Sequence, residues 1–213
     1  MATSKTKRGK RRPWNKGVKV GQRDPFRPAK VARIRAMLAK RGDAGVRNLA
    51  LFSTAIDTML HASDLLSLTV KDVRQRNGAM RDTLKVKTAG GGRVVRCALS
   101  KETRNVLDSW IGSAAKKPRD HLFTALTKGH PKPLTTRQLN RLVKTWAAGV
   151  GLDPVAYGTE SLRRTRAMYI LSKTGNLEVV RVLLGHSDIG STSRYLGDVK
   201  QPDPLAVSRA HEI

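Results

Sequence analysis

The sequence predicts a mainly α-helical fold with one small antiparallel β-sheet, an α+β class. Apolar residues recur at helical spacing through most of the chain, as in Val31, Ile34 and Leu38. Two short stretches near the middle, 83–88 and 93–99, alternate in polarity or are rich in β-branched residues, and a glycine run joins them. That arrangement is typical of a β-hairpin.

Each predicted helix rests on an apolar stripe and, in several cases, on a capping residue. Glycines at 42–45 are expected to separate the first two helices. Ser63 is expected to cap the third helix, Ser100 the fourth, and Thr135 or Thr136 the fifth. The predicted ranges in order are 29–41, 46–60, 64–68, 101–112, 136–149, 160–172, 176–184, 190–196 and 204–211.

The hairpin strands have two different faces. Alternation places Lys85 and Lys87 on one face of the first strand, opposite Leu84 and Val86. The residues 70–73, rich in valine, are a candidate third strand. We therefore expect a sheet with a basic face and an apolar face.

Composition indicates a polyanionic partner. The 213 residues carry a formal net charge of +26, and the pI is near 11.3. Lys and Arg bind phosphates with release of counterions, which favours nucleic acid. The sequence contains no run of 18 apolar residues, so no membrane span is predicted. A single cysteine, Cys97, excludes an internal disulfide and a Cys-based zinc site, and it suggests a reducing cytoplasm.

Charge and breaker residues divide the chain into four predicted parts. Residues 1–22 form a basic disordered arm, whose Lys7, Arg8, Lys10, Arg11 and Arg12 are expected to contact DNA. Residues 23–45 hold an N-terminal helix and a linker, 46–200 form the main domain, and 201–213 form a C-terminal helix or tail.

One stretch, 158–196, carries the residues for chemistry on a nucleic-acid backbone. Arg163 opens one helical pattern, His186 follows the next, and Tyr195 stands nine residues after that histidine. A guanidinium matches a phosphate geometrically, and a phenol is a nucleophile once a neighbour activates it. Packed together, these three side chains are suited to attack on a phosphodiester.

Ordered motifs connect this stretch to a known family. The run A-I-D-T-M-L-H-A-S-D-L-L-S-L at 55–68 comes first, followed by the hairpin lysine in K-V-K-T. S-L-R-R-T, L-L-G-H and S-T-S-R-Y-L follow at 161–165, 183–186 and 191–196. Together they resemble the catalytic domain of the tyrosine recombinases, the phage integrase family, over about residues 46–198. The resemblance implies site-specific DNA recombination or integration through a 3′-phosphotyrosyl intermediate, with no metal and no cofactor.

The resemblance assigns a role to each motif residue. Tyr195 is the expected nucleophile, and Arg163 is the clamp on the scissile phosphate. His186 is expected to hydrogen-bond that phosphate or the leaving region. Lys87 is the expected general acid for the 5′-oxygen, and Lys85, on the same strand face, is the alternative.

Two positions differ from the family's pattern. His61 stands where the family has its first arginine, and Glu160 stands where it has a histidine. A neighbouring phosphate can raise the pKa of an imidazole such as His61. A carboxylate at Glu160 can accept the proton of the tyrosine, and it can equally stabilise a helix N-terminus or pair with Arg163 or Arg164.

Partners follow from the same resemblance. Double-stranded DNA is the expected ligand, with Lys85, Arg164 and Arg166 among its contacts. The family pattern implies a monomer when free and an oligomer on DNA, assembled with itself or with a partner recombinase. It also implies a cytoplasmic, nucleoid-associated protein of a prokaryote, phage or mobile element, with no membrane role. A second interpretation stays open, in which the chain binds DNA or an active recombinase without cleaving.

Overall fold

The computed structural model describes residues 22–89, 92–126 and 132–197. The predicted basic arm and the predicted helix at 204–211 lie outside the described residues, apart from Gln22. The elements in order are α1 (Pro28–Ala39), α2 (Gly42–Thr58), α3 (Ala62–Ser67), α4 (Val70–Val73), β1 (Thr83–Lys87), β2 (Val94–Ala98), α5 (Lys101–Ser113), α6 (Thr136–Gly149), α7 (Thr159–Thr174), α8 (Leu177–Leu184) and α9 (Ile189–Leu196). The mainly helical class is confirmed.

Helix α2 is the centre of the main core. It is buried on nearly every side from Ala50 to Thr58, because α1, α5 and α7 all pack against it. Its Phe52 meets the Trp146 ring of α6 edge-on, with the centroids 5.5 Å apart. Because it is packed on several sides, α2 buries polar residues such as Ser53, Thr54 and Asp57 as well as apolar ones. It holds the elements of the site in fixed positions.

The predicted hairpin is confirmed. β1 and β2 pair antiparallel, with Leu84 opposite Cys97 and Lys85 opposite Arg96. Both strands bury every second residue, which directs Leu84 and Val86 into the core. Lys85 and Lys87 therefore share the exposed face, as the alternation predicts.

Three local predictions are wrong, at 42–45, at 70–73 and at the start of α3. Residues 42–45 do not separate the first two helices, since α2 already begins at Gly42. A Cβ on Gly45 would lie 2.2 Å from the Leu38 carbonyl oxygen, so this glycine permits a close approach between α1 and α2. Residues 70–73 form a helical turn rather than a strand, because the Asp72 carboxylate accepts from the Thr69 amide at 2.8 Å and thereby caps the turn.

Capping residues fix most helix starts. Ser100 accepts from the Thr103 amide at 3.2 Å, and Thr135 and Gln138 form a reciprocal capping box. Asn176 accepts from the Val179 amide at 3.0 Å. His61, rather than the predicted Ser63, occupies the N-cap position of α3. The predicted helices between residues 101 and 196 are confirmed to within two residues at each end.

A smaller apolar cluster lies between α7, α8 and α9. It contains Met59 from the end of α2 and five buried residues of the three helices, which are Ala167, Leu171, Val180, Leu184 and Leu196. This cluster joins the three helices that carry the motif residues. It is therefore the platform on which the site is built.

Helix α1 packs into the main core and is not an isolated element. Ile34 and Leu38 are fully buried, and the Phe26 ring stacks on Tyr157 with the centroids 4.6 Å apart. The predicted start of the main domain at Val46 stays a prediction. The packing of α1 favours an earlier start, near Phe26.

Candidate active site

A cleft of about 380 Å³ separates the end of the hairpin from α3 and α7. One wall comes from the hairpin and the α8–α9 turn, and the other comes from the α2–α3 junction and α7. Its lining residues are Met59, Leu60, His61, Thr88, Arg93, Val95, Arg163, Leu184, Gly185, His186, Ser187 and Ser191. The structure thus brings three sequence-predicted residues, His61, Arg163 and His186, to one concavity.

Tyr195 lies beside this cleft on α9. Its hydroxyl donates to the Glu160 carboxylate at 3.2 Å. The His186 ring meets the phenol edge-on at 5.5 Å between centroids, and the Arg163 and Arg164 guanidiniums both lie 5.8 Å from the ring centre. Burial, followed by the negative charge of Glu160, raises the pKa of Tyr195 above its ordinary value. The phenol is therefore protonated at neutral pH, and its attack needs a proton acceptor.

Arg163 is buried between three helices. Its guanidinium donates to the Leu184 carbonyl at 2.7 Å and to the Met59 carbonyl, which joins the end of α8 to the end of α2. Met59 has a left-handed backbone with φ of 52°, unusual for a residue other than glycine, and it ends α2 there. Arg163 therefore fixes the backbone of the cleft as well as supplying its charge.

Arg164 also faces inward. Its guanidinium donates to the Leu196 carbonyl at 3.0 Å and to the Gln22 side chain, and the residue is only 7% exposed. These bonds hold the end of α9 directly after Tyr195. The predicted contact of Arg164 with DNA stays a prediction, and this burial argues against it.

His186 occupies the turn between α8 and α9. Its Nδ1 lies 3.0 Å from the hydroxyl of Thr192, which is fully buried. The preceding Gly185 has φ of 72°, and a Cβ there would lie 2.8 Å from Val95, so glycine is required at this position. Burial, followed by the charge of Arg163, lowers the pKa of His186 below its ordinary value. The imidazole is therefore neutral at pH 7 and acts as a hydrogen-bonding group.

Glu160 and His61, the two residues that differ from the expected pattern, are neighbours. The His61 Nδ1 lies 3.7 Å from the Glu160 carboxylate, and both side chains are exposed. Contact with His61 holds the pKa of Glu160 below its ordinary value, which outweighs the opposite effect of burial. The carboxylate is ionised at neutral pH and touches both His61 and Tyr195, rather than forming an ion pair with Arg163 or Arg164.

The two hairpin lysines lie at different distances from the cleft. Lys87 ends β1 directly before Thr88, a cleft residue, and its side chain passes over Gly92. Lys85 instead lines a separate concavity of about 550 Å³ with Lys71, Arg81 and Arg96. Position along the strand therefore favours Lys87 over Lys85 as the lysine nearer the chemistry.

The remaining predicted DNA contacts lie elsewhere. Arg166 lines an apolar groove between α1 and α7. Tyr195 of α9 is not among the residues that line this groove. Lys7, Arg8, Lys10, Arg11 and Arg12 lie outside the described residues. These contacts stay predictions.

Sequence reasoning missed Arg93. This exposed arginine begins the second strand run and lines the cleft beside His186. The available signal was its position directly after the glycine turn, opposite Thr88, whose amide donates to the Arg93 carbonyl at 2.8 Å. A hairpin end next to a motif histidine is visible only after the elements are packed.

The described residues contain neither a metal-ligand cluster nor a helix suited to a membrane. No group of three or more His, Cys, Asp or Glu side chains within 22–89, 92–126 and 132–197 is arranged to hold a metal ion. None of the helices in those ranges has the length and apolar character that a membrane span needs.

Curated relatives match most of this chain. A tyrosine recombinase from Pseudothermotoga lettingae is 32% identical over 151 residues, which are 70% of this chain and 49% of the relative. Tyrosine recombinase XerD of Xanthomonas axonopodis is 29% identical over 163 residues, covering 71% of this chain and 51% of its own. The chain thus spans about half the length of these curated relatives.

Solved structures share the fold. XerH site-specific recombinase bound to its difH substrate superposes with a TM-score of 0.71 at 21% identity, over 92% of this chain and 55% of that one. The catalytic domain of bacteriophage HP1 integrase gives a TM-score of 0.59 at 17% identity, over 89% of this chain and 95% of that one. The model of the phage integrase family matches residues 26–201, from Phe26 of the main core past Tyr195. This chain therefore belongs to the phage integrase family and carries its tyrosine recombinase catalytic domain.

Proposed function

We propose that this chain cleaves and rejoins DNA at specific sites through a covalent 3′-phosphotyrosyl bond to Tyr195. One observation carries the proposal. The Tyr195 hydroxyl is hydrogen-bonded to a carboxylate beside a cleft that contains Arg163 and His186. A nucleophile, a proton acceptor and phosphate-binding groups thus meet at one place, as transfer of a phosphoryl group requires.

The reaction is balanced by groups of this chain. The Tyr195 oxygen forms a bond to phosphorus while its proton passes to Glu160. The bond from phosphorus to the 5′-oxygen breaks, and Lys87 protonates that oxygen. Arg163 and His186 donate to the non-bridging oxygens, where negative charge develops. The 5′-hydroxyl of another strand then attacks the phosphotyrosine and passes its proton to Lys87. The bond from phosphorus to the Tyr195 oxygen breaks, and that oxygen takes its proton back from Glu160.

His61 and Glu160 act as a pair in this proposal. Glu160 alone would repel a phosphate, but His61 lies 3.7 Å from its carboxylate and Arg163 is close by. Once the carboxylate accepts the tyrosine proton, its negative charge is lost. The repulsion therefore falls as the charge on the phosphate grows, which favours the transition state over the ground state.

Several features support double-stranded DNA as the substrate. Lys85 lies directly opposite Arg96 across the hairpin, and like charges so placed destabilise a sheet. Lys71 and Arg81 line the same concavity, and Asp72, its acidic residue, is engaged in capping α4. Such a cluster contributes favourable binding free energy when the phosphates of a nucleic acid neutralise its charge. Similar folds include XerH with difH DNA and the Tn1549 transposon integrase with circular intermediate DNA.

The proposal extends to the assembly and the setting. We infer a monomer that assembles on DNA, with itself or with a partner recombinase, because strand exchange joins two cleaved duplexes. We place it at the nucleoid of a bacterial, phage or mobile-element system, since the curated relatives are bacterial. The proposed steps use side chains alone and require neither a metal nor a cofactor.

A trapping experiment tests the function. Duplexes that bind the full chain are first selected from a random-sequence pool, and nicks are then placed along the selected site. A nick one or two bases from the scissile phosphate lets the short 5′-hydroxyl fragment diffuse away, so the covalent adduct accumulates and survives denaturing electrophoresis. Tight, specific binding without an adduct at any nick position would instead establish the binding-only alternative.

The role of Glu160 makes a pH prediction. Contact with His61 keeps the pKa of Glu160 low, so the acceptor is ionised throughout pH 5.5–8. In Glu160→His the acceptor would be an imidazole with an ordinary pKa of about 6.5, and below it the proton occupies the accepting nitrogen. The ratio of variant to wild-type adduct rates, measured at saturating DNA, should be constant above about pH 7.5 and fall roughly tenfold per pH unit below about 6.5.

The matched control is Glu102→His, which places the same substitution on α5, where Glu102 pairs with Arg35. Its rate should follow the wild-type profile across the whole pH range. A Glu160→His profile parallel to the wild type would exclude residue 160 as the proton acceptor.

The basic arm makes a prediction about salt. Residues 1–22 are rich in Lys and Arg and contain no acid. Their deletion should reduce the slope of log affinity against log salt by about 0.9 for every phosphate that the arm contacts. Fluorescence anisotropy with the selected duplex at several salt concentrations measures this slope. An unchanged slope would show that the arm does not contact the DNA.

A further inference from the structure

The cleft has a cation on each of two walls, and only one of them belongs to a motif. Arg163 lies on the α7 wall, whereas Arg93 lies on the hairpin wall beside His186. A phosphate held between two walls needs donors from both sides, because its non-bridging oxygens point in different directions. This geometry makes the hairpin wall important for binding.

Arg163 alone offers the phosphate few donors. It is 3% exposed, and two of its N–H groups are already used by the carbonyls of Met59 and Leu184. Its Nε is buried without a hydrogen-bond partner among the described residues. An arginine of this kind contributes its charge from below the cleft surface, and another donor must reach the exposed side of the phosphate.

The two histidines do not supply a permanent charge. Burial and the charge of Arg163 lower the pKa of His186, so its imidazole is neutral at pH 7. His61 faces the Glu160 carboxylate at 3.7 Å. Between them these histidines offer hydrogen bonds but no permanent positive charge, and a second guanidinium would supply it.

Arg93 meets the requirements for that role. Its guanidinium is charged at every physiological pH and presents donors in a planar fork that matches phosphate. Among the described residues, its side chain makes one hydrogen bond, from an Nη to the Gly185 carbonyl at 3.4 Å, beyond the usual range of 2.7–3.2 Å. A phosphate can therefore displace this weak bond at little cost.

We propose that Arg93 is the second phosphate-binding arginine of this site, contacting the scissile phosphate from the hairpin while Arg163 contacts it from α7. The identity of the ligand as a DNA phosphodiester rests on the proposed function. In this role Arg93 neutralises charge on the non-bridging oxygens, while bond formation and proton transfer involve Tyr195 and Glu160.

Loss of this guanidinium should slow cleavage strongly. Arg93→Ala is expected to lower the rate of adduct formation by about 10²–10³-fold, the effect typical of removing one donor to the transition state. The rate is measured by single-turnover trapping on the nicked selected duplex at saturating protein. The matched control is Arg119→Ala, an exposed arginine in the turn after α5, which should leave the rate unchanged.

A neutral phosphate separates charge neutralisation from a structural effect. Once wild-type cleavage has located the scissile phosphate, a methylphosphonate is placed there, which removes one negatively charged oxygen. The defect of Arg93→Ala relative to wild type should shrink to less than about tenfold on this substrate, because the charge that Arg93 neutralises is absent. An equal defect on both substrates would overturn the proposal.

A second measurement tests whether Arg93 binds phosphate even if no adduct forms. Inorganic phosphate is titrated into the full chain while NMR follows the ring protons of His186, which lines the cleft beside Arg93. Arg93→Ala should weaken the phosphate affinity reported by His186 at least about fivefold, whereas Arg119→Ala should not change it. The same affinity in both variants would reject the proposed contact, whereas a missing adduct with wild-type protein would reject the proposed function alone.

Discussion

Tyr195→Phe should abolish the covalent adduct on a nicked duplex while leaving DNA binding unchanged. The substitution removes the single oxygen that would attack phosphorus. It also breaks the 3.2 Å hydrogen bond to Glu160 but retains the ring that contacts His186, Arg163 and Arg164. Denaturing electrophoresis of trapped complexes measures the loss, and anisotropy with the intact duplex checks that binding is retained.

The chain contains a good control for this experiment. Tyr169 lies on α7 and is 44% exposed, away from the cleft. Tyr169→Phe should form the adduct at the wild-type rate, and peptide mapping of the wild-type adduct should place the DNA on Tyr195. An adduct that persists in Tyr195→Phe, or that maps to another residue, would refute the assigned nucleophile.

Arg163→Lys should lower both activity and stability. A lysine keeps the charge, but its single ammonium cannot bond both the Leu184 and the Met59 carbonyls and also reach a phosphate. We expect a fall in the adduct rate of about 10²-fold or more. We also expect a loss of about 1–3 kcal/mol in the free energy of unfolding, because a buried carbonyl is left without a donor.

Urea denaturation measures the stability term, and single-turnover trapping at saturating DNA measures the rate. The matched control is Arg33→Lys, the same substitution at an exposed position of α1, which should change neither quantity. Stability equal to wild type in Arg163→Lys would show that the two carbonyls do not depend on the guanidinium. An unchanged rate would remove Arg163 from the site.

Local signals account for the success of the fold prediction. Caps such as Ser100, Thr135 and Asn176 act within a few residues of themselves, so they mark the helix starts directly in the sequence. Alternation in the hairpin likewise reports which face is buried. The predicted start of α2 was wrong because a tertiary contact decided it, since the end of α1 lies against Gly45. The error at 70–73 has a local cause, the cap that Asp72 provides.

Part of the candidate site was predictable because some of its residues stand in short, local motifs. Arg163, His186 and Tyr195 stand within short motifs whose order and spacing indicated their family, and the cleft brings them together. Arg93 belongs to no motif and reaches the cleft only through the packing of the hairpin on α8. The burial of Arg164 was equally invisible, because only the packing of neighbouring elements determines which arginines of a helix are buried.

The sequence by itself determined the helical class, the hairpin with its basic face, the strong positive charge and the three motif residues, since these depend on local spacing and composition. Only the tertiary structure decided that Glu160 contacts both Tyr195 and His61, that Arg163 joins the ends of α2 and α8, and that Arg93 faces the cleft. These contacts join residues 21 to more than 100 positions apart. No local pattern encodes such pairs, because they form when buried apolar faces fix the helices against one another.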